Sequence, residues 1–148
     1  MGRFAGFLRA AHPDMPDEEI RKRVELGHAL MFFARGVPVI YYGDEQGFVS
    51  DGNDQLAREN MFPSQVDVYN DNDLIGTAAT TAQSNFDPSH PLYIAIRGMA
   101  DVYQAHEALR RGTQKTVTRP RESTRQPFWL VKRRRRFFRA KEEESSFL

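Results

Sequence analysis

Cysteine is absent from the 148 residues, which excludes a disulfide framework, thiolate zinc sites and cysteine nucleophiles. Any metal site would have to be built from histidine and carboxylates. His12, His28, His90 and His106 are scattered, with no pair at the four-residue helical spacing that sets two imidazoles on one ion. No metal and no cofactor are therefore expected. Long apolar runs are also missing. The run Ala29 to Phe33 is far short of the roughly 20 residues that cross a bilayer. The N-terminus lacks the basic, apolar, small-residue order of a secretion signal, so no membrane partner is expected and localisation stays open. No repeat on the scale of about 20 to 50 residues is visible. An apolar content of 40% over this length suits one ordinary domain with a core.

What is present is unevenly distributed. The net charge of +1 conceals a division at Gly112. Residues 1–112 hold 10 Lys+Arg and 16 Asp+Glu, a balance of −6, whereas residues 113–148 hold 11 and 4, a balance of +7. The two stretches are expected to be separate in kind, the second an irregular basic tail without a packed core.

In the first stretch, Pro13-Asp14-Met15-Pro16-Asp17-Glu18-Glu19 is a helix start. Asp14 is placed to cap, Pro16 suits the first turn and the acids complement the helix dipole. Ile20, Val24, Leu26, Ala29, Leu30 and Phe33 then recur near a 3.6-residue period, until Gly36 offers a stop. Val37-Pro38-Val39-Ile40-Tyr41-Tyr42 is continuously apolar, β-branched and aromatic, which predicts a strand buried on both faces of a parallel sheet. Asp44 to Pro91 is polar and rich in turn formers, a long functional loop with a short helix expected around Gln55 to Asn60. Pro91 opens a second amphipathic helix ending at Gly112. This order predicts a piece of a repeating βα architecture, in which ligand chemistry sits on the loops after the strands.

Gly36-Val37-Pro38-Val39-Ile40-Tyr41-Tyr42-Gly43-Asp44-Glu45-Gln46-Gly47 resembles the eighth strand and following loop of glycoside hydrolase family 13, the α-amylase family. Gly52-Asn53-Asp54-Gln55-Leu56-Ala57-Arg58-Glu59 is similar to the family loop that sets an Asp and an Arg, four apart, against sugar hydroxyls. The resemblance thus implies substrate-binding roles for Asp54 and Arg58. Leu109-Arg110-Arg111-Gly112 resembles the end of the last barrel helix. Met1-Gly2-Arg3-Phe4-Ala5 is similar to the segment directly after the family's Asn-His-Asp phrase.

The fold so implied is α/β, an incomplete fragment of a (β/α)8 TIM barrel comprising its last strand, long loop and flanking helices, over residues 1–112. Residues 113–148 do not resemble the β domain that would follow and suggest a frame-shifted tail. The transition-state Asp, the nucleophilic Asp and the acid/base Glu would all lie outside the chain. No residue here inherits a catalytic role, and the chain alone is expected to be inactive. The intact parent would act on α-glucosidic bonds, as hydrolase or transferase, with an α-glucan or maltooligosaccharide as partner.

Two acidic pairs, Asp44 with Glu45 and Asp51 with Asp54, have the composition of an acid/base couple. On a glycine-rich loop they are expected to be solvated instead. Tyr41, Tyr42, Phe48 and Phe62 could stack on sugar rings or simply pack. The rival to the fragment reading is a small basic interaction protein that binds nucleic acid or another anion through residues 132–139, although no nucleic-acid fold surrounds that run. Trp129 carries no role.

Overall fold

The computed structural model describes residues 2–113, which fall within one compact unit, Met1–Lys115. The expectations for the basic tail, including residues 132–139 and Trp129, lie outside the described residues.

Helix α1, Phe4–Ala11, turns Ala5 and Leu8 inward, and Pro13 disfavours helical backbone at His12, where the helix ends. Gly6 lets α1 approach the chain crossing it: a Cβ there would overlap the Val49 carbonyl oxygen. Helix α2, Asp17–Phe33, begins after Pro16 with three acids in its first turn, as its sequence predicts. Asp14 makes no cap. Instead Asp17 accepts a bond from the Gly76 amide at 2.7 Å and pairs with Arg9 at 2.8 Å, tying α2 to α1 and to the loop. Outward-facing ion pairs, such as Lys22–Glu18 at 3.1 Å and Arg23–Glu19 at 3.3 Å, line its solvent side. Solvent screening leaves such exposed pairs a minor part of the stability.

After α2 come a single 3-10 turn at Asp44–Gln46 and the one-turn helix α3, Asp67–Asn70. Helix α4, Pro91–Ala105, follows, with His90 as its cap: Nδ1 accepts from the Leu92 amide at 3.2 Å. The predicted second helix does not run unbroken to Gly112. It breaks at His106, and α5, Glu107–Arg111, completes it. The core is the seam of α1, α2, α4 and the loop: Ala5, Ile20, Val24, Val49, Ile75 and Leu92, with Leu8 and Met15 against it.

The strand, and with it the barrel-fragment fold, is not present. Among the described residues there is no strand and no sheet; every regular element is helical. Val37 and Val39, expected to be buried on both faces, are 83% and 73% exposed. The cause lies in what a strand is. β structure exists by pairing, and the described chain holds no second β-prone segment to meet the donors and acceptors of residues 36–40, which bond to no other described residue. High β propensity without a partner leaves an open connection.

The loop from Asp44 to His90 is more than a polar excursion. Phe48, Val49, Leu74 and Ile75 fill the core, and Gly47, with a left-handed φ of 74°, passes so close to Ile75 that a side chain would strike its carbonyl. Side chains close the remaining turns. Thr81 donates to Asn70 Oδ1 at 2.8 Å, and the Ser64 amide donates to the Thr81 carbonyl at 2.8 Å. The helix expected near Gln55 to Asn60 is one turn, in which Asn53 Oδ1 accepts from the Gln55 and Leu56 amides at 2.9 and 2.8 Å.

Candidate functional site

Arg3 precedes α1 with a β-region backbone, so its side chain leaves the helix and turns into the protein. It is 3% exposed. A buried guanidinium must satisfy its donors, and this one reaches two distant stretches of chain. Nη1 donates to the Tyr42 carbonyl and to Asp44 Oδ1, both at 2.8 Å. Nη2 donates to the Ala57 carbonyl at 3.0 Å, and Nε donates to Glu59 Oε2 at 2.6 Å. Glu59, fully buried, spends its other oxygen on the Ser50 amide at 3.0 Å. The rings of Tyr41, Phe48 and Tyr42 lie 4.8, 5.1 and 5.4 Å from the guanidinium carbon, within cation–π range.

One cation here faces two carboxylates. Burial raises both the Asp44 and the Glu59 carboxyls above the usual range, against the pull of Arg3. Asp44 is therefore not the solvated loop acid that its sequence context predicts.

Arg3 also floors an open cleft of about 420 Å³, whose walls are Gly2, Phe4, Tyr41, Asp44 and the turn carrying Asp54, Ala57 and Arg58. Asp54 and Arg58 are thus brought together at the surface. Arg58 Nη2 lies 3.5 Å from Asp54 Oδ2, and the two side chains are 65% and 66% exposed. A long, exposed pair of this kind contributes little to stability and leaves carboxylate and guanidinium free to bond with an incoming polyol.

The acidic pairs behave differently. Asp44 faces the Arg3 cleft, while Glu45 lines a separate cavity with Tyr42, Tyr93 and Arg97. Asp51 accepts from Asn72 Nδ2 at 3.1 Å and lines another hollow beside α1. Neither pair therefore shares one cleft. Of the aromatic candidates, Tyr41 joins the Asp54–Arg58 cleft, Phe48 is buried, and Phe62 sits edge-on to Phe86 at 4.9 Å. Among the described residues no group of three His, Asp or Glu is placed to hold a metal ion. No helix there is long and apolar enough to cross a membrane.

Against known proteins, the chain is 46% identical over 114 residues to a protein of Streptomyces lividans named α-amylase, a match covering 77% of this chain. The chain is an α-amylase-type segment. A Paenibacillus polymyxa protein named β/α-amylase is 34% identical over 82 residues, 55% of this chain. The α-amylase-type segment spans only 12% and 5% of the lengths of these two relatives. No family model matches it, and no solved structure does.

Arg3 is the residue that sequence reasoning missed. Its partners lie 39 to 56 positions away, so no local spacing announces it. The one available signal is a lone cation directly before the apolar run of α1.

Proposed function

We propose that this α-amylase-type segment is part of a carbohydrate-active enzyme that acts on α-glucosidic bonds. Its contribution is to hold sugar through Asp54 and Arg58, and it supplies none of the carboxylates that break the bond. The observation carrying the reading is the 46% identity to a protein named α-amylase, together with one cleft that holds Asp54, Arg58 and Tyr41. An exposed carboxylate and guanidinium can each bond vicinal hydroxyls, and an aromatic wall suits the apolar face of a pyranose. The partner is then an α-glucan or maltooligosaccharide. Residues 1–112 are the α-amylase-type part, and residues 113–148 a basic extension of different origin.

Glycosidic cleavage requires two carboxyl groups flanking the bond, roughly 5 to 9.5 Å apart across the two stereochemical outcomes. The Asp44–Glu45 and Asp51–Asp54 pairs are each divided between different hollows, and Asp44, which shares its cleft with Asp54, is committed to Arg3. The purified chain should therefore release no product from soluble starch or a chromogenic maltooligosaccharide, while maltoheptaose should perturb the Arg58 side-chain resonance. Turnover that disappears on replacing Asp44, Asp51 or Asp54 by Asn would defeat the proposal.

A further inference from the structure

Arg3 touches both walls of the cleft, and four of its five N–H donors are taken by the protein. Toward one wall it lies against the Tyr41 ring at 4.8 Å and bonds to the Tyr42 carbonyl and Asp44, each at 2.8 Å. Toward the other it bonds to the Ala57 carbonyl at 3.0 Å and to Glu59 at 2.6 Å. Ala57 is in the turn that carries the candidate sugar contacts. Its amide bonds back to the Asn53 carbonyl at 3.1 Å, so the one turn holding Asp54 and Arg58 hangs from Arg3 through the Ala57 carbonyl.

The geometry points to Arg3 as a positioning residue: one buried guanidinium sets the distance between the Tyr41 wall and the Asp54–Arg58 turn, and thereby the width of a cleft for a glucan. The inference rests on the reading of Asp54 and Arg58 as sugar contacts. A fork that donates along several directions in one plane is what the task requires; a lysine ammonium, a point charge on a flexible stem, cannot hold four acceptors in two stretches at once. The turn has little else to fix it. Apart from Ala57, which is buried, its side chains face solvent or are half-buried, and Asn53 organises it only locally.

The test compares the full chain, its Arg3→Lys variant and, as a control distant from the cleft, Arg9→Lys. Two quantities are read: the Arg58 Nε–Hε resonance in the free chain, and maltoheptaose affinity by titration. Arg3→Lys should move or broaden the Arg58 resonance while the amide signals of α2 and α4 stay in place. It should weaken maltoheptaose by about tenfold or more, as expected for a misplaced contact group. Arg9→Lys should do neither. A folded Arg3→Lys chain with an unchanged Arg58 resonance and unchanged affinity overturns the inference.

Where Arg3→Lys loses helicity, trimethylamine N-oxide is added to restore it by stabilising the folded state generally. Helicity that returns with affinity still weak supports positioning; affinity returning in step with helicity shows a purely stabilising arginine and overturns it. A wild-type chain that does not bind maltoheptaose would instead remove the sugar-contact reading, and the Arg58 resonance of the free chain would still decide the role of Arg3.

Discussion

At the scale of single residues, the largest energetic stake lies with Arg3 and Glu59. Removing one member of a buried ion pair leaves an uncompensated charge, at a cost of about 3–5 kcal/mol. Both side chains are almost wholly enclosed, at 1% and 0% exposure. Arg3→Met should therefore lower the urea midpoint by that equivalent, and Arg3→Met with Glu59→Gln should recover part of the loss. Equal losses in the single and double variants would show that the pair is not the cause. The exposed pair Asp54–Arg58 is the opposite case: Asp54→Ala should change stability by less than about 0.5 kcal/mol, so any loss of sugar binding there would be a loss of contact. Asp54 and Arg58 were singled out by the resemblance of residues 52–59 to a family loop, and the fold places them side by side at the surface. Arg3 was not, since a buried hub whose partners are dozens of residues distant leaves no periodic trace.

At the scale of elements, α2 and α4 were readable because each has its own signals: Pro16 with Asp17, Glu18 and Glu19 for one, Pro91 for the other, whereas the His90 cap of α4 was not foreseen. The buried stripe of α2 was only half read. Ile20 and Val24 face inward together with His28 and Phe32, whereas Leu26, Leu30 and Phe33 face out. Residues 37–42 went wrong because propensity describes one segment and β structure requires two. Since Val37 and Val39 are the most exposed large apolar side chains in the described part, replacing both with Thr should cost less than about 0.5 kcal/mol. It should also visibly reduce light scattering at high concentration, because an open β-prone segment is a template for self-association. Undiminished scattering would place the sticky surface elsewhere. At Gly47, by contrast, a left-handed φ and the Ile75 carbonyl leave no room, so Gly47→Ala should destabilise by more than about 1 kcal/mol, read from the same urea midpoints.

At the scale of the whole molecule, ionisable groups inside the fold pull its pH dependence in opposite directions. Burial lowers the His90 pKa, so its contribution is fully present above the ordinary histidine value near 6.5 and is lost as pH falls from there toward the folded value. Burial raises the Asp44 and Glu59 carboxyls. Their contribution is therefore complete below the ordinary carboxylate range and declines as pH climbs through their folded values. The two slopes oppose each other across the mildly acidic range and flatten the stability profile. His90→Asn keeps a capping side chain and removes one slope, so below the ordinary histidine value this variant should gain less stability with rising pH than the unsubstituted chain; thermal melts in a pH series read this directly. A profile parallel to the unsubstituted chain would refute the assignment to His90.

The bare ribbon between α2 and the 3-10 turn has a consequence for lifetime. Proteases need backbone that is free of hydrogen-bonded structure, and residues 36–40 bond to no other described residue, with nothing to unzip first, directly after the exposed Arg35. Trypsin should make its first cut within the described residues at Arg35, before any site in α2 or α4 opens. In a cell such a ribbon looks like unfinished folding, and the machinery that clears unfinished chains would read it that way.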